Sequence, residues 1–207
     1  MAAHFVMRAL PLAPTTVAKS PDRGLRRARF SEEFQSHCID CDQGRPTPEK
    51  QLQSHLLADA YRHDREMRTL TAPDLASPLR LITDELALPL DGGKIVCDLL
   101  AVHGDHPVIL ELKPSRDKQR LVEQVTAYAA LIEAHLETFA TLCSVILGYE
   151  VQLRGPCERW IVWPCVAGHP HDPQEDALAE LGIRVVGYEQ TADGYTFRVG
   201  RAVATVP

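Results

Sequence analysis

No apolar run in the 207-residue sequence approaches the length needed to cross a bilayer, so a membrane protein is not expected. Basic residues are not in excess either. The net charge of −6 at pH 7 gives no general attraction to nucleic acid, so a polyanion would have to be bound through a local basic patch or a metal ion. No internal repeat or low-complexity tract is visible, which argues against a solenoid. The length and the 45% hydrophobic content fit one globular domain with appendages.

The sequence also lacks the cysteine pattern of a disulfide scaffold. Its six cysteines are scattered and no secretory signal is evident, so reduced thiols in the cytoplasm are expected. Cys38 and Cys41 form the one Cys-x-x-Cys pair, with His37 beside them. Because a structural zinc site needs four ligands, a zinc-holding interaction protein would need partners from far along the chain. The candidates are Cys157, Cys165, His169 and His171. Elemental analysis for zinc tests this alternative.

The first 46 residues contain no acidic residue before Asp22 but carry several arginines between Arg23 and Arg29. Such a composition is typical of an organellar targeting segment. However, prolines at positions 11 and 14 would break an amphipathic helix early, which favours an extended N-terminal arm over residues 1–46. The folded domain is then predicted to span residues 47–207.

The pattern after the arm predicts a mixed α/β domain with a central sheet flanked by helices. Apolar residues at helical spacing predict a helix over 48–63 and a long second helix from Asp117, whose apolar stripe reaches Leu136. Between them, apolar segments separated by turns at 91–93 and 104–107 predict an antiparallel meander of three strands over 79–113. The segment 141–151 is ambiguous between a helix end and a strand. A strand at 159–166, a helix at 175–181 and strands at 183–188 and 195–199 complete the order.

Three charged residues interrupt the apolar strands of the meander. Asp98 lies within the second strand, and Glu111 and Lys113 lie two apart on the third, so they project from one face. Ionised groups are rare in buried strands unless they are paired or bind a metal. Two carboxylates on adjacent strands are suited to a hard divalent cation, and a nearby lysine can stabilise transition-state charge. The pattern therefore predicts phosphodiester hydrolysis; the alternative for Glu111 and Lys113 is a surface ion pair.

The spacing of these charges resembles the D-x(n)-(D/E)-x-K signature of the PD-(D/E)XK nuclease superfamily. Asp98 is followed by twelve residues and then by Glu111-Leu112-Lys113, with Cys97 standing where many members have proline. The resemblance covers about half of the chain. It implies a restriction endonuclease-like core in the order α-β-β-β-α-β, here with a C-terminal αββ extension.

The resemblance also implies roles for individual residues. Glu49 on the first helix matches a glutamate that many members place near the metal. Gln124 and Tyr128 resemble the Q-x-x-x-Y element of the RecB-like branch, which contributes to the active site or to DNA contacts. The implied cofactor is Mg²⁺ or Mn²⁺, with Asp98, Glu111 and Glu49 as ligands. The implied catalytic residues are Glu49, Asp98, Glu111, Lys113 and Gln124.

A metal-dependent deoxyribonuclease is therefore the expected function, with DNA as partner. Basic residues cluster at the start of the second helix, where they are expected to meet the DNA backbone. The expected nucleic-acid contacts are Arg116, Lys118, Arg120 and Tyr128. Cleavage of both strands of a duplex would favour a homodimer. The alternative is a catalytically silent nuclease-fold protein that binds DNA or a protein, which would show no Mn²⁺ binding in isothermal titration.

Overall fold

The structure, a computed structural model, describes residues 47–70, 75, 77–90, 93–116, 120–165, 173–192 and 194–200, without the side chains of 88–90 and 93–94. Several features predicted from the sequence lie outside these residues. They are the arm over 1–46 with its Cys-x-x-Cys pair, the turn at 91–92, the helix start at Asp117, the basic residue Lys118, and the histidines at 169 and 171.

Four helices and six strands make up the described fold. They are α1 (Pro48–Arg62), β1 (Leu79–Leu90), β2 (Gly93–His103), β3 (His106–Leu112), α2 (Leu121–Ala134), α3 (Leu136–Leu147), β4 (Glu158–Pro164), α4 (Pro173–Glu180), β5 (Ile183–Thr191) and β6 (Gly194–Val199). A short 3₁₀ helix, Arg68–Leu70, lies between α1 and β1. The predicted order of helices and strands is confirmed, except that two helices stand where one long helix was expected.

The six strands form one mixed sheet in the order β1-β2-β3-β4-β5-β6. Strand β2 pairs antiparallel with β1 on one side and with β3 on the other, which confirms the predicted meander. Strands β3, β4 and β5 run parallel, and β6 returns antiparallel to β5. The parallel strands therefore bring the carboxyl ends of β3, β4 and β5 to the same edge of the sheet.

Helices cover both faces of this sheet and bury a core on each side. Helix α1 begins at Pro48, where the Thr47 hydroxyl accepts a hydrogen bond from the N–H of Lys50 at 3.3 Å and so caps the first turn. Its buried stripe, which includes Leu52 and Leu56, packs on one face of the sheet. Buried residues of α2, α3 and α4 pack on the other face. A mixed α/β domain with flanking helices is thereby confirmed.

The long second helix predicted from the apolar stripe is wrong at its C-terminal end. Helix α2 ends at Ala134 because His135, with φ −131°, leaves the helical conformation, and α3 then continues at 89° to α2. Leu136 therefore opens α3 instead of extending the α2 stripe, and the ambiguous segment after residue 141 is helical up to Leu147. Among the described residues no single helix meets the length and hydropathy needed to cross a membrane; α2 and α3 do so only when taken together.

One irregularity in the sheet positions the charged residues. Strands β2 and β3 pair from His103↔His106 to Leu99↔Leu110 and then separate. Beyond that point β2 stays paired with β1 and β3 stays paired with β4. A gap thus opens between β2 and β3. The next residue on the β2 side of the gap is Asp98, and the next residue on the β3 side is Glu111.

Candidate active site

Side chains bridge the gap between β2 and β3 where backbone pairing stops. The carboxylate of Asp98 accepts a hydrogen bond from the backbone N–H of Leu112, with 2.7 Å between Oδ2 and N. From α2, the amide of Gln124 donates to the carbonyl of Val96 at 3.1 Å and to Oε1 of Glu111 at 2.8 Å. Gln124 thereby joins the two strands, and backbone groups that the ladder leaves unpaired find side-chain partners.

Glu111 lies at the centre of this arrangement. It is only 4% exposed, and its Oε1 accepts a hydrogen bond from Lys113 Nζ at 2.7 Å in addition to the one from Gln124. Lys113 follows the last residue of β3, two positions after Glu111, and the expected same-face pair is formed. The structure therefore brings together four of the five predicted catalytic residues: Asp98, Glu111, Lys113 and Gln124.

Among the described residues, each of the two carboxylates has donors to one of its oxygens only. Both donors to Glu111 reach Oε1, and the donor to Asp98 reaches Oδ2. In the part of the chain that the structure describes, neither Oε2 of Glu111 nor Oδ1 of Asp98 accepts a hydrogen bond, and neither is among the fully buried unpaired side-chain atoms. Two carboxylate oxygens are thus left to take a further ligand.

The two acids hold an excess of negative charge in a largely buried place. Burial raises the pKa of Asp98, the charge of Glu111 raises it further, and the result is a pKa of about 7 despite the hydrogen bond from Leu112. Burial also raises the pKa of Glu111, against the lowering effect of Lys113. Ionising both acids together is therefore unfavourable unless a cation joins them.

Lys113 remains the counter-charge to this pair. Burial works to lower its pKa, but the hydrogen bond and charge of Glu111, with the charges of Asp98 and Glu49, outweigh burial and raise it. The ammonium group is consequently protonated at neutral pH, so it can stabilise negative charge but is poorly suited to accept a proton.

Glu49 faces the same cluster from the first turn of α1. Its charge contributes to the raised pKa values of Asp98 and Glu111. Even so, among the described residues no three His, Cys, Asp or Glu side chains form a metal-binding group. The role of Glu49 as a third ligand alongside Asp98 and Glu111 stays a prediction. Cys157 is buried with its pKa raised to about 12, which disfavours the thiolate that a zinc site would need.

Tyr128 differs from its expected role. It is 1% exposed, and its hydroxyl donates to the carbonyl of Leu86 on β1. A side chain this buried offers no surface to a nucleic acid, so the expected DNA contact of Tyr128 is corrected to a packing role. One helical turn earlier, Gln124 reaches the strand gap. The Q-x-x-x-Y pair therefore fastens α2 to both β1 and β2.

The predicted basic contacts occupy different environments. Arg120 is exposed at the start of α2, with φ 66°. Arg116 instead packs inside the protein, with its guanidinium carbon 4.4 Å from the centre of the Trp163 ring and its Nη2 3.8 Å from Glu175. Glu175 also pairs with Arg198 on β6. Sequence reasoning missed Trp163, Glu175 and Arg198, since no local signal connects them before the order of β4, β5 and β6 is known.

Comparison with models of protein families, with curated proteins and with solved structures found no match to this chain.

Proposed function

We propose that this protein is a metal-dependent nuclease that hydrolyses DNA phosphodiester bonds. One observation carries the proposal: Asp98 and Glu111 meet across the gap between β2 and β3, each with one carboxylate oxygen unused by the described residues, and a charged Lys113 lies beside them. A purely structural network would be expected to use these oxygens, because unpaired acceptors at a semi-buried position are unfavourable.

The fold supports a PD-(D/E)XK-type arrangement. The order α1, β1, β2, β3, the α2–α3 pair and β4 follows the α-β-β-β-α-β core expected from the motif, and α4, β5 and β6 form the expected extension. In addition, the two acids and the lysine lie at the carboxyl end of β3, beside the helix that follows it. Agreement between motif and strand order is what gives this short motif its weight.

The donor set fits a hard divalent cation. Mg²⁺ in proteins is commonly held by one or two carboxylates, with water and substrate phosphate oxygens in its remaining positions. Asp98 and Glu111 supply two carboxylates. Burial and then neighbouring negative charge raise the pKa of each, and a bound cation would offset both effects. When bound there, Mg²⁺ or Mn²⁺ would supply Lewis-acid polarisation of a phosphoryl oxygen and a more acidic bound water.

The protein's own residues would perform distinct tasks. Lys113 keeps its positive charge near the reacting phosphate and stabilises the negative charge that develops on its oxygens. Gln124 is a positioning residue, because it donates to Oε1 of Glu111, the same oxygen that Lys113 contacts, and so helps to fix the carboxylate. Glu49 adds negative charge beside the two acids and would assist at the metal directly or through water.

The test compares DNA cleavage by wild type with that by Asp98→Asn and Lys113→Met, using linear duplex and single-stranded circular DNA in Mg²⁺ and in Mn²⁺. Each substitution is expected to lower cleavage by at least about 1000-fold, because the acid pair and its counter-charge act as one unit. Both variants should melt cooperatively. The matched control is Glu158→Gln, which removes a semi-buried carboxylate from the opposite end of β4.

Two outcomes would overturn the proposal. One is wild-type protein that neither cleaves DNA nor binds Mn²⁺ in isothermal titration, which would leave the silent nuclease-fold protein as the better account. The other is cleavage that survives in Asp98→Asn and Lys113→Met at the wild-type rate, since that activity would come from elsewhere or from a contaminant.

A further inference from the structure

The backbone of Lys113 lies just past the end of a strand. Strand β3 ends at Leu112, and the N–H of Lys113 donates to the carbonyl of Val162 on β4, with 2.8 Å between N and O. The next residue is Pro114, which has no N–H to donate. The N–H of Lys113 is therefore fixed by β4, and the direction in which its side chain leaves the strand also depends on what holds its carbonyl group.

A tyrosine from β5 contacts that carbonyl group. The hydroxyl of Tyr188 donates to the carbonyl oxygen of Lys113 across 3.4 Å, which is a long hydrogen bond. Among the residues that the structure describes, no other group donates to this oxygen. The contact passes the end of β4, because Tyr188 lies on β5 and Lys113 directly follows β3. The backbone of Lys113 is thus held by β4 through its N–H and by β5 through its carbonyl.

Tyr188 is itself held in place at both its backbone and its ring. Its carbonyl accepts a hydrogen bond from the N–H of Cys165 at 2.8 Å. Its side chain is buried, and its ring meets the ring of Tyr195 on β6 edge to face, with 5.6 Å between the ring centres. A buried and packed ring has little freedom to move, so the hydroxyl is presented to Lys113 from a fixed position.

The hydroxyl of Tyr188 remains a donor at neutral pH. Burial raises the pKa of Tyr188, and Tyr195 and the charge of Glu49 raise it further, so the group keeps its proton. The charge of Glu49 also acts on Asp98 and Glu111. Tyr188 therefore adjoins the acid pair from the face of the sheet that α1 covers.

We infer that Tyr188 is a positioning residue of the proposed nuclease, because its hydroxyl fixes the backbone of Lys113 and so keeps the ammonium group beside the acid pair. The inference rests on the proposed function for its effect on cleavage. The ammonium group reaches Oε1 of Glu111 at 2.7 Å, from the same backbone that β4 and Tyr188 hold. Since small displacements of a catalytic group lower rates strongly, loss of the hydroxyl should slow the chemical step without weakening substrate binding.

The test compares DNA cleavage in Mn²⁺ by wild type, Tyr188→Phe and the matched control Tyr195→Phe. Tyr188→Phe keeps the buried ring and removes only the hydroxyl, so kcat should fall about tenfold with KM unchanged. Tyr195→Phe removes a hydroxyl from the adjoining ring, for which the described part of the chain supplies no hydrogen-bond partner. This control should cleave at the wild-type rate. Melting temperatures check that both variants are folded.

A second measurement does not depend on cleavage. Amide hydrogen exchange followed by NMR in EDTA reports how firmly the N–H of Lys113 is held on Val162. Tyr188→Phe should speed exchange at Lys113 about tenfold, because one of its two backbone contacts is lost. Exchange at Cys165, whose N–H donates to the carbonyl of Tyr188, is the internal control and should not change.

The outcomes separate this inference from the nuclease proposal. If wild type does not cleave DNA but exchange in Tyr188→Phe speeds up at Lys113 alone, the nuclease proposal fails and the positioning contact stands. If wild type cleaves DNA but Tyr188→Phe matches it in kcat or in exchange at Lys113, the positioning role fails and the nuclease proposal stands. A raised KM with unchanged kcat also overturns the positioning role, since the hydroxyl would then contact the substrate. Equally faster exchange at Lys113 and Cys165 overturns it too, since the hydroxyl would then stabilise the whole end of β5.

Discussion

One carboxylate lies near each end of the central strands, Glu158 partly buried and Glu111 buried, and their hydrogen-bond partners are arranged in different ways. At the turn end, the carboxylate of Glu158 has one donor for each oxygen: His103 Nδ1 lies 2.8 Å from Oε1, and Trp160 Nε1 lies 2.9 Å from Oε2. At the gap end, Glu111 receives both of its donors on Oε1. A second acid, Asp98, lies close to Glu111; burial raises the pKa of Asp98, and the charge of Glu111 raises it further.

The difference separates a structural polar group from a candidate reactive one. A carboxylate whose oxygens are both paired has no further ligand to gain, and its contribution is to hold neighbouring elements together. A pair of acids with spare oxygens and raised pKa values is unfavourable without a partner. Functional sites are where proteins tolerate such arrangements, because binding relieves them.

The largest expected difference between the two carboxylates is in the rate of DNA hydrolysis after each is replaced by glutamine. Glu111→Gln should lower the rate of DNA hydrolysis by at least about 1000-fold, since an amide cannot replace the charge of a metal-binding carboxylate. Glu158→Gln should cleave at close to the wild-type rate. The measurement is the initial rate on one DNA substrate in Mn²⁺. Similar losses in the two variants would mean that activity depends on the charge or stability of the sheet as a whole.

A smaller effect is expected on the pH dependence of stability without metal. Because the pKa of Asp98 is raised to about 7 in the folded state, its protonation favours the folded state below about pH 4. This stabilisation is lost as the pH rises through about 7, and the raised pKa of Glu111 acts in the same direction. With allowance for partial exposure, the Asp98 contribution is on the order of 2 kcal/mol.

Asp98→Asn removes this titration while keeping an acceptor for the N–H of Leu112. The melting temperature of Asp98→Asn relative to wild type should therefore increase as the pH rises from 5 to 8, by several degrees in total. Thermal melts in EDTA measure it, and adding Mn²⁺ at pH 8 should raise the melting temperature of wild type alone. A constant difference between the two proteins across this range would show that Asp98 is not held in an unfavourable charged state.

Local signals were sufficient to predict much of the fold and the acid pair. Thr47 and Pro48 mark the start of α1, and the apolar segments of the meander are short and well separated by turns. Asp98 and Glu111 were identifiable because charge is unusual within such segments. These signals depend on neighbours in sequence or on the period of a strand, both of which can be read from one chain.

Features that depend on packing could not be predicted in this way. No proline or glycine lies next to His135, so the sequence carries no local signal for the helix break there. The burial of Tyr128 depends on where α2 packs against β1. The contact of Gln124 with Val96 exists only because β2 and β3 separate. Likewise, Arg198 meets Glu175 only after β5 and β6 have been added to the parallel part of the sheet.

The smallest expected effect is on stability at the turn end. Glu158→Gln replaces one acceptor oxygen by an amide nitrogen, so the donor from His103 or the donor from Trp160 loses its partner. The expected cost is about 1–2 kcal/mol of unfolding free energy. Urea unfolding at pH 8 in EDTA should thus give changes in unfolding free energy of opposite sign for the two variants: Glu158→Gln destabilises the protein and Asp98→Asn stabilises it. If both substitutions destabilised the fold equally, the acid pair would be a second structural network and the argument for a metal between its carboxylates would lose its physical basis.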